Sequence, residues 1–353
     1  GPGVGTTPYG AGGYGGFAGD NCLSGCGWGS GGPSYGSMKE PTRLGSGSYS
    51  SGTGYGGGAV IINVTGIANI TGNITARSIT LGSQYASGSG GSIYLIAGSL
   101  VGIGTLDASA SNSGYDNMAG GSGGRIAVHL TSGNSFDSVK FTAYGGRDSD
   151  GSHASSAGTI WLKRASETYG ELIVDNNNLT VNANKTTMMT INTTEQLDRI
   201  TIRNKGNLGI GGSNYNTSLV IGNPQNISGD NLAAILQLFN NLTFTNITSW
   251  FNLTKITFQD NGQINNLSDN LTITGGMTYF LNESSEFTNT NLTLDTNVNL
   301  SFYKDSTTLV TIKNLLMRAN STMTHRDNQN TEQFMVNLTI TGNLTMESGS
   351  YIN

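Results

Sequence analysis

The sequence predicts an all-β fold, a right-handed parallel β-solenoid, on the strength of a repeat, a strand-like alternation and a glycine-rich composition. The repeat aligns Gly58-Ala59-Val60-Ile61-Ile62 with Gly91-Ser92-Ile93-Tyr94-Leu95, Gly124-Arg125-Ile126-Ala127-Val128 and Gly158-Thr159-Ile160-Trp161-Leu162. The leading glycines are 33, 33 and 34 residues apart. A unit this short cannot bury its apolar face alone, whereas stacked units bury a continuous core. Apolar residues alternate with polar ones inside these segments, the period of a strand. Glycine supplies 53 of the 353 residues, and Gly-rich corners are expected to turn the chain through positive φ. Antiparallel β-sandwich repeats are the alternative, since they also use short strands and turn signals. The near-constant period and the scarcity of Asn-Gly and Asp-Gly hairpin turns weigh against them.

Taken in order, residues 1–56 read as a Gly-rich cap or inter-subunit segment, with Tyr9, Tyr14, Phe17, Trp28 and Tyr35 as packing aromatics. Residues 57–165 carry the repeats. Each repeat segment is followed by a second strand-like element: Ile74-Thr75-Ala76, Thr105-Leu106-Asp107-Ala108, Phe141-Thr142-Ala143 and Leu172-Ile173-Val174. Residues 166–353 are rich in Asn and Thr and poor in Gly, and read as further solenoid with variable loops. Its strand candidates are Ile200-Thr201-Ile202, Leu242-Thr243-Phe244, Ile256-Thr257-Phe258, Leu271-Thr272-Ile273, Leu292-Thr293-Leu294, Val310-Thr311-Ile312 and Leu338-Thr339-Ile340. Asp230 to Phe239 reads either as a short capped helix or as a buried strand.

N-x-S/T sequons mark Asn63, Asn69, Asn73, Asn178, Asn184, Asn192, Asn216, Asn226, Asn241, Asn246, Asn252, Asn266, Asn270, Asn282, Asn291, Asn299, Asn320, Asn337 and Asn343. Most have an apolar middle residue, as in Asn270-Leu271-Thr272. On a strand that residue points to the core while Asn and Thr point outward, as an N-linked glycan requires. An unmodified Asn/Thr face is the competing reading. No sequon lies between Asn73 and Asn178.

Net charge is −5 on only 11% charged residues, and no basic stripe suggests a nucleic-acid partner. No apolar run approaches the roughly 18 residues that span a membrane. Cys22 and Cys26, the two cysteines, are spaced as a local disulfide in an oxidising compartment. His129, His153 and His325 are too dispersed in sequence to complete a metal set with them. Asp148 and Asp150 place oxygen ligands at alternate positions, like the opening of a calcium loop. The closing glutamate is absent, so a solvated Asp/Ser turn is preferred over calcium. No cofactor is expected beyond N-linked glycans. Glycoside hydrolysis needs two positioned carboxyl groups, and no such pairing is evident in the sequence, so a polysaccharide-active enzyme ranks last among the readings.

Gly-Gly-Ser-Ile-Tyr-Leu at 90–95, Gly-Gly-Arg-Ile-Ala-Val at 123–128 and Ala-Gly-Thr-Ile-Trp-Leu at 157–162 resemble the glycine-rich parallel β-helix repeats, pectin-lyase-like, of very large secreted and cell-surface proteins. The resemblance covers about residues 54–165. It implies a β-helix at the cell surface and no particular activity.

These readings converge on a non-enzymatic structural glycoprotein. It would be a subunit or repeat unit of an extracellular filament, sheath or surface layer that joins copies of itself head to tail as a homopolymer. The C-terminal run through Ile340, Leu344 and Ile352 is expected to abut the Gly-rich N-terminal region of the next unit. A cell-surface adhesin or carbohydrate-binding module is the alternative, with Tyr144, Trp161 and Trp250 as candidates for stacking on sugar rings.

Overall fold

The computed structural model describes residues 2–6, 10–20, 29–49, 54–81, 86–114, 116, 118–181, 185–189, 194–210, 217–221, 227–230, 235–238, 242–245, 249–258, 270–280, 287–302, 309–325 and 335–353. Among them the fold is all-β, with no helix, and so no helix long and apolar enough to cross a membrane. The described strand pairings are parallel except two, the opposite of an antiparallel sandwich. The chain divides into two compact units, Gly1–Met188 with Asn204–Asn207, and Met189–Arg203 with Leu208–Asn353.

In the first unit the repeat becomes a ladder. Strands Ala59–Asn69, Ser92–Val101, Arg125–Leu130 and Thr159–Lys163 pair in parallel, with Val60 opposite Ile93, Ile93 opposite Ile126 and Ile126 opposite Ile160. That register is the one in which the sequence motifs align. A second row pairs Asn73–Thr75, Thr105–Asp107 and Lys140–Thr142, stacking Ile74, Leu106 and Phe141. Because strand side chains alternate, Ile93, Leu95, Ile126, Val128, Ile160 and Leu162 face one core with Leu106. Each such aliphatic side chain contributes roughly 1.5–3 kcal/mol on burial.

The fourth repeat departs from expectation. Leu172-Ile173-Val174 does not extend the second row. Glu171–Asp175 instead folds back antiparallel on Thr159–Lys163, with Leu172 opposite Trp161. The connecting loop is closed on itself. Arg164 N and Nη1 donate to the Glu167 carboxylate at 2.8 and 2.7 Å, and Gly170 turns the chain at φ +81°.

Glycine serves a different purpose from the one expected. Among the described residues the left-handed glycines are Gly36, Gly102, Gly151, Gly170 and Gly349, and none is among the glycines that open the rungs. Those glycines admit neighbouring backbone instead. A Cβ at Gly91 would collide with the Gly58 carbonyl oxygen, one at Gly124 with that of Gly91, and one at Gly158 with that of Gly124. Between strands, extended Gly/Ser segments bond to one another laterally, as when Gly12 N donates to Ser87 O (3.0 Å) and Ser87 N to Ala119 O (3.1 Å).

The N-terminal segment packs into this layer. Tyr14 is fully buried; its hydroxyl lies 2.6 Å from Ser92 Oγ, and its ring centroid is 4.7 Å from that of Tyr35. Arg125 fastens the segment, donating to Tyr35 O (3.0 Å), Ser34 Oγ (3.0 Å) and Thr159 Oγ1 (2.9 Å) under the Tyr14 ring. Burial pulls its guanidinium pKa down to about 10. Tyr9 and Trp28 lie outside the described residues.

The second unit keeps parallel pairing with shorter and less even rungs. All seven strand candidates of this half lie in strands. Leu271, Leu292, Leu315 and Leu344 occupy one row, at steps of 21, 23 and 29 residues. Ile273, Leu294, Met317 and Met346 form a second, and Leu300, Met323 and Ile352 a third. The same turn recurs on successive rungs. Val298 N, Ser321 N and Ser350 N donate to Asp295 O, Arg318 O and Glu347 O, with Asn297, Asn320 and Gly349 left-handed at φ +63°, +59° and +78°. In the segment Asp230 to Phe239, Ile235–Leu238 is a strand pairing in parallel with Lys255 through Phe258, so the helix reading is set aside there; residues 231–234 and 239 lie outside the described residues.

The close-approach account makes a paired prediction. Gly91→Ala and Gly124→Ala each force a shift of neighbouring backbone and should cost about 1–3 kcal/mol or more. Gly66→Ala and Gly72→Ala have nothing within 4 Å of the added Cβ and should change stability by less than about 1 kcal/mol. Equilibrium denaturation of the four variants checks this; equal effects in both pairs would remove it.

Candidate functional site

The sequon face is the most extensive candidate. Ten sequon asparagines have described side chains and none is buried. Asn63, Asn69, Asn73, Asn178, Asn270, Asn320 and Asn343 are exposed, and Asn291, Asn299 and Asn337 are half-buried. The middle residues Leu271, Leu292 and Leu300 are buried, as alternation requires. Asn252 sits in the strand Ser249–Phe258. Asn184, Asn192, Asn216, Asn226, Asn241, Asn246, Asn266 and Asn282 lie outside the described residues.

Part of this face is already occupied by hydrogen bonds. Asn291 stands opposite Asn270, and Asn314 opposite Asn291. Asn291 Nδ2 donates to Asn270 Oδ1 at 2.8 Å, Asn314 Nδ2 to Asn291 Oδ1 at 2.5 Å, and Asn343 N to Asn314 Oδ1 at 2.6 Å. Stacked amides of this kind stabilise in-register strands. A sugar on Nδ2 leaves one N–H for the ladder, and sugars on adjacent rungs would stand only about 4.8 Å apart. Ladder and glycan therefore compete most directly at Asn291, whose Nδ2 is itself a ladder donor. Asn314 is no sequon, so the ladder, not the sequon, explains its residue type.

A second constellation lies in the first unit. A cavity of about 400 Å³ is lined by Asn112, Tyr144, Arg147, Asn177, Asn178 and Leu179. Tyr144 is held from behind. Arg77 Nη1 donates to its hydroxyl at 3.3 Å and to Asp107 Oδ2 at 3.0 Å, with the guanidinium 5.9 Å from the ring centroid, within cation–π range. Burial pushes the Asp107 carboxyl up, but hydrogen bonds from Ser109, Arg77 and Thr142 outweigh that and hold it below its ordinary value. Asn112 Oδ1 accepts from Arg147 N at 3.1 Å. Asn177 and Asn178 are left-handed at φ +48° and +62°, fixed by Asp175 Oδ1 accepting from Asn177 N (3.0 Å) and Asn204 O accepting from Asn178 N (3.0 Å). Of the lining, the sequence reading singled out only Tyr144 as a binding candidate and Asn178 as a sequon. The repeat offset could have found more: Arg77, Ala110 and Tyr144 recur at the rung period.

The other aromatic candidates differ. Trp161 is buried, donates Nε1–H to Tyr169 O at 3.2 Å and meets His129 edge-on, so it packs. Trp250 lies in the strand Ser249–Phe258.

Asp148 is not the solvated turn residue expected, being 1% exposed. Its Oδ2 lies 2.6 Å from His153 Nδ1, and its Oδ1 accepts from His153 N at 3.1 Å. Burial pushes its carboxyl up, and hydrogen bonds from His153 and Ser152 hold it below the ordinary value. Asp150 is exposed and accepts from Ser152 N at 2.8 Å. The three side chains could reach one cation, but a histidine nitrogen is a poor match for calcium, which takes oxygen ligands. Cys22 and Cys26 lie outside the described residues.

The chain matches no family model, and no curated protein and no solved structure is similar to it. Its functional reading therefore rests on its own geometry.

Two predictions follow from these contacts. Asn291→Ala removes both its ladder bonds and should destabilise by about 1–3 kcal/mol, whereas Asn63→Ala should stay within about 0.5 kcal/mol; thermal unfolding distinguishes them. Asp107 has a folded pKa below its unfolded value of about 3.9. Its contribution is therefore full above that value and lost as pH falls through the lowered one. Asp107→Asn should flatten the acid limb of stability below about pH 4 relative to wild type, as denaturation across that range would measure.

Proposed function

We propose that the chain is a structural glycoprotein of an extracellular filament, sheath or surface layer, a right-handed parallel β-solenoid that stacks end on end with copies of itself or with further rungs of a longer array. Parallel strands in register across successive rungs support the solenoid reading. Parallel crossovers within one sheet are almost always right-handed.

The observation that carries the stacking is the fate of the apolar rows. Along one row Leu271, Leu292 and Leu315 are each 1% exposed, and Leu344 on the last rung is 49% exposed. Met317 is sealed and Met346 is 41% exposed; Met323 is sealed and Ile352 is 36% exposed. These exposed side chains form an apolar surface on which a second copy could stack in the same register. At the first rung Val60, Ile62 and Ile74 are half-buried against the core, and among the described residues Ala59–Asn69 pairs on one side only, leaving an edge of the type that templates another strand. A repeating contact between two different surfaces builds open filaments. The outward sequons support a glycosylated, secreted location. Carboxylates engaged by neighbouring side chains, Asp107 by Arg77, Asp148 by His153 and Glu167 by Arg164, support a non-catalytic role.

Leu344→Glu combined with Met346→Lys changes exposed positions only. It should leave the β-sheet circular dichroism intact and abolish the concentration-dependent sedimentation of fibres. Fibres at wild-type concentration from this variant would refute stacking through the last rung. Glycopeptide mass spectrometry should find sugar at Asn63 and Asn320 and lower occupancy at Asn291. Unmodified asparagine at every sequon would remove the glycoprotein reading.

A further inference from the structure

We propose that the cavity bounded by Tyr144, Arg147 and the Asn177-Asn178 turn is a binding site for an acidic saccharide, a chain carrying uronate or sulfate groups. The site does not depend on end-on assembly.

The lining fits that chemistry on four counts. Its volume of about 400 Å³ falls in the range of small-molecule sites. Three of its six lining residues, Asn112, Asn177 and Asn178, are asparagines. A carboxamide donates and accepts at once, which is what paired sugar hydroxyls demand. Tyr144 and Leu179 supply the apolar surface on which the C–H face of a pyranose packs. Arg147 supplies the charge. Its guanidinium is exposed and makes no hydrogen bond or ion pair among the described residues. The carboxylates near it in sequence are engaged elsewhere: Asp148 with His153, Asp150 with Ser152 and Asp116 with Ser149. No lining residue is acidic. A guanidinium set among neutral amides favours carboxylate or sulfate by charge-assisted hydrogen bonding.

The site is also pre-organised. The Asp107–Arg77–Tyr144 chain holds the phenol ring, Arg147 N anchors Asn112, and the Asn177-Asn178 turn is fixed by its backbone bonds, so little ordering remains for the ligand to impose.

Such a saccharide has two sources. Asn178 is an exposed sequon asparagine on the rim, so its own glycan could occupy the cavity. The other source is a polysaccharide or a glycan on another chain. The experiment uses the full chain, produced both in a glycosylating host and in one that adds no sugar. Calorimetric titration with a glucuronate-containing hyaluronan tetrasaccharide is compared with neutral chitotetraose. The sugar-free chain should bind the acidic probe and prefer it over the neutral one by about tenfold or more. Arg147→Ala should erase that preference, and Tyr144→Ala should weaken both probes. Arg318→Ala, in the other unit, should change nothing. If the Asn178 glycan fills the site, the glycosylated chain should refuse the probe and Asn178→Gln should restore binding; if the source is external, both should bind alike. Equal affinity for the two probes, or no binding by the sugar-free chain, would overturn the proposal. Binding by a native chain that carries no glycan at Asn178 would uphold it while ending the glycan assignment there.

Discussion

The contact on which the first unit depends is backbone against backbone at the start of each rung. Gly91 N, Gly124 N and Gly158 N donate to Ala76 O, Ala108 O and Ala143 O at 2.8, 2.8 and 2.7 Å. A Cβ on the first glycine of the rung before, Gly57, Gly90 or Gly123 respectively, would strike the same alanine carbonyls. The glycines that open one rung, the glycine that opens the next and the alanine between them are thus one structural unit spread over the repeat, with Ala157 in the first of the two opening positions on the fourth rung. Their coupling sets the rung length. An insertion between them would either break the bond or bulge outward, which is why the spacing of the motifs varies by a single residue. Gly raises the entropic cost of ordering the chain, and the lateral hydrogen bonds and the shared aliphatic core offset it.

Arg125 shows what the layer does with a polar group in the middle of its core. It is 3% exposed and paired with no carboxylate among the described residues. Its hydrogens go to carbonyls and hydroxyls of the N-terminal segment and the adjacent rung, and Tyr14 covers its face. A buried cation held this way is expensive to leave unsatisfied. Its partners at Tyr14, Ser34 and Tyr35 lie about 90 to 110 residues away in sequence, so satisfying it specifies where the segment must dock. The described Gly-rich residues around Tyr14, Ser34 and Tyr35 are therefore packed into the first unit.

How much of this could be read from the chain depends on which interactions have a period. The row of Val60, Ile93, Ile126 and Ile160 was legible because one side chain repeats at one offset, and so was the second row through Ile74, Leu106 and Phe141. The fourth repeat misled because Leu172-Ile173-Val174 has the right alternation but is preceded by a loop that Arg164 and Glu167 close into a hairpin. Alternation fixes which face a residue takes and says nothing of parallel or antiparallel pairing. Glycine was read as a source of positive φ when its service was room for a carbonyl, a distinction that needs the neighbouring rung to be in place. The cavity was least legible. Asn112, Arg147 and Asn177 come from three segments 35 and 30 residues apart, and only the offset from Arg77 to Tyr144 hinted that such residues share a surface.

The two units answer the same problem with different chemistry. In-register rungs need lateral bonds at every level. In the first unit the backbone itself makes them through Gly- and Ser-rich segments whose side chains are buried, Ser89, Ser92, Ser109, Ser122, Ser155 and Ser156 among them. Asparagine enters this layer as an acceptor for neighbouring backbone, as Asn112 Oδ1 does for Arg147 N at 3.1 Å, and the chain has no sequon between Asn73 and Asn178. In the second unit the rungs are shorter, Gly is scarce, and side-chain amides take over part of the bonding through Asn270, Asn291 and Asn314. Strand alternation and the ladder also favour outward Asn and Thr with an apolar residue between them, so sequon density by itself does not give the number of sugars. The better guide is whether the amide is spoken for: Asn291 is bonded on both sides, whereas Asn63, Asn69 and Asn73 sit outside that amide ladder on strands whose outward face is open.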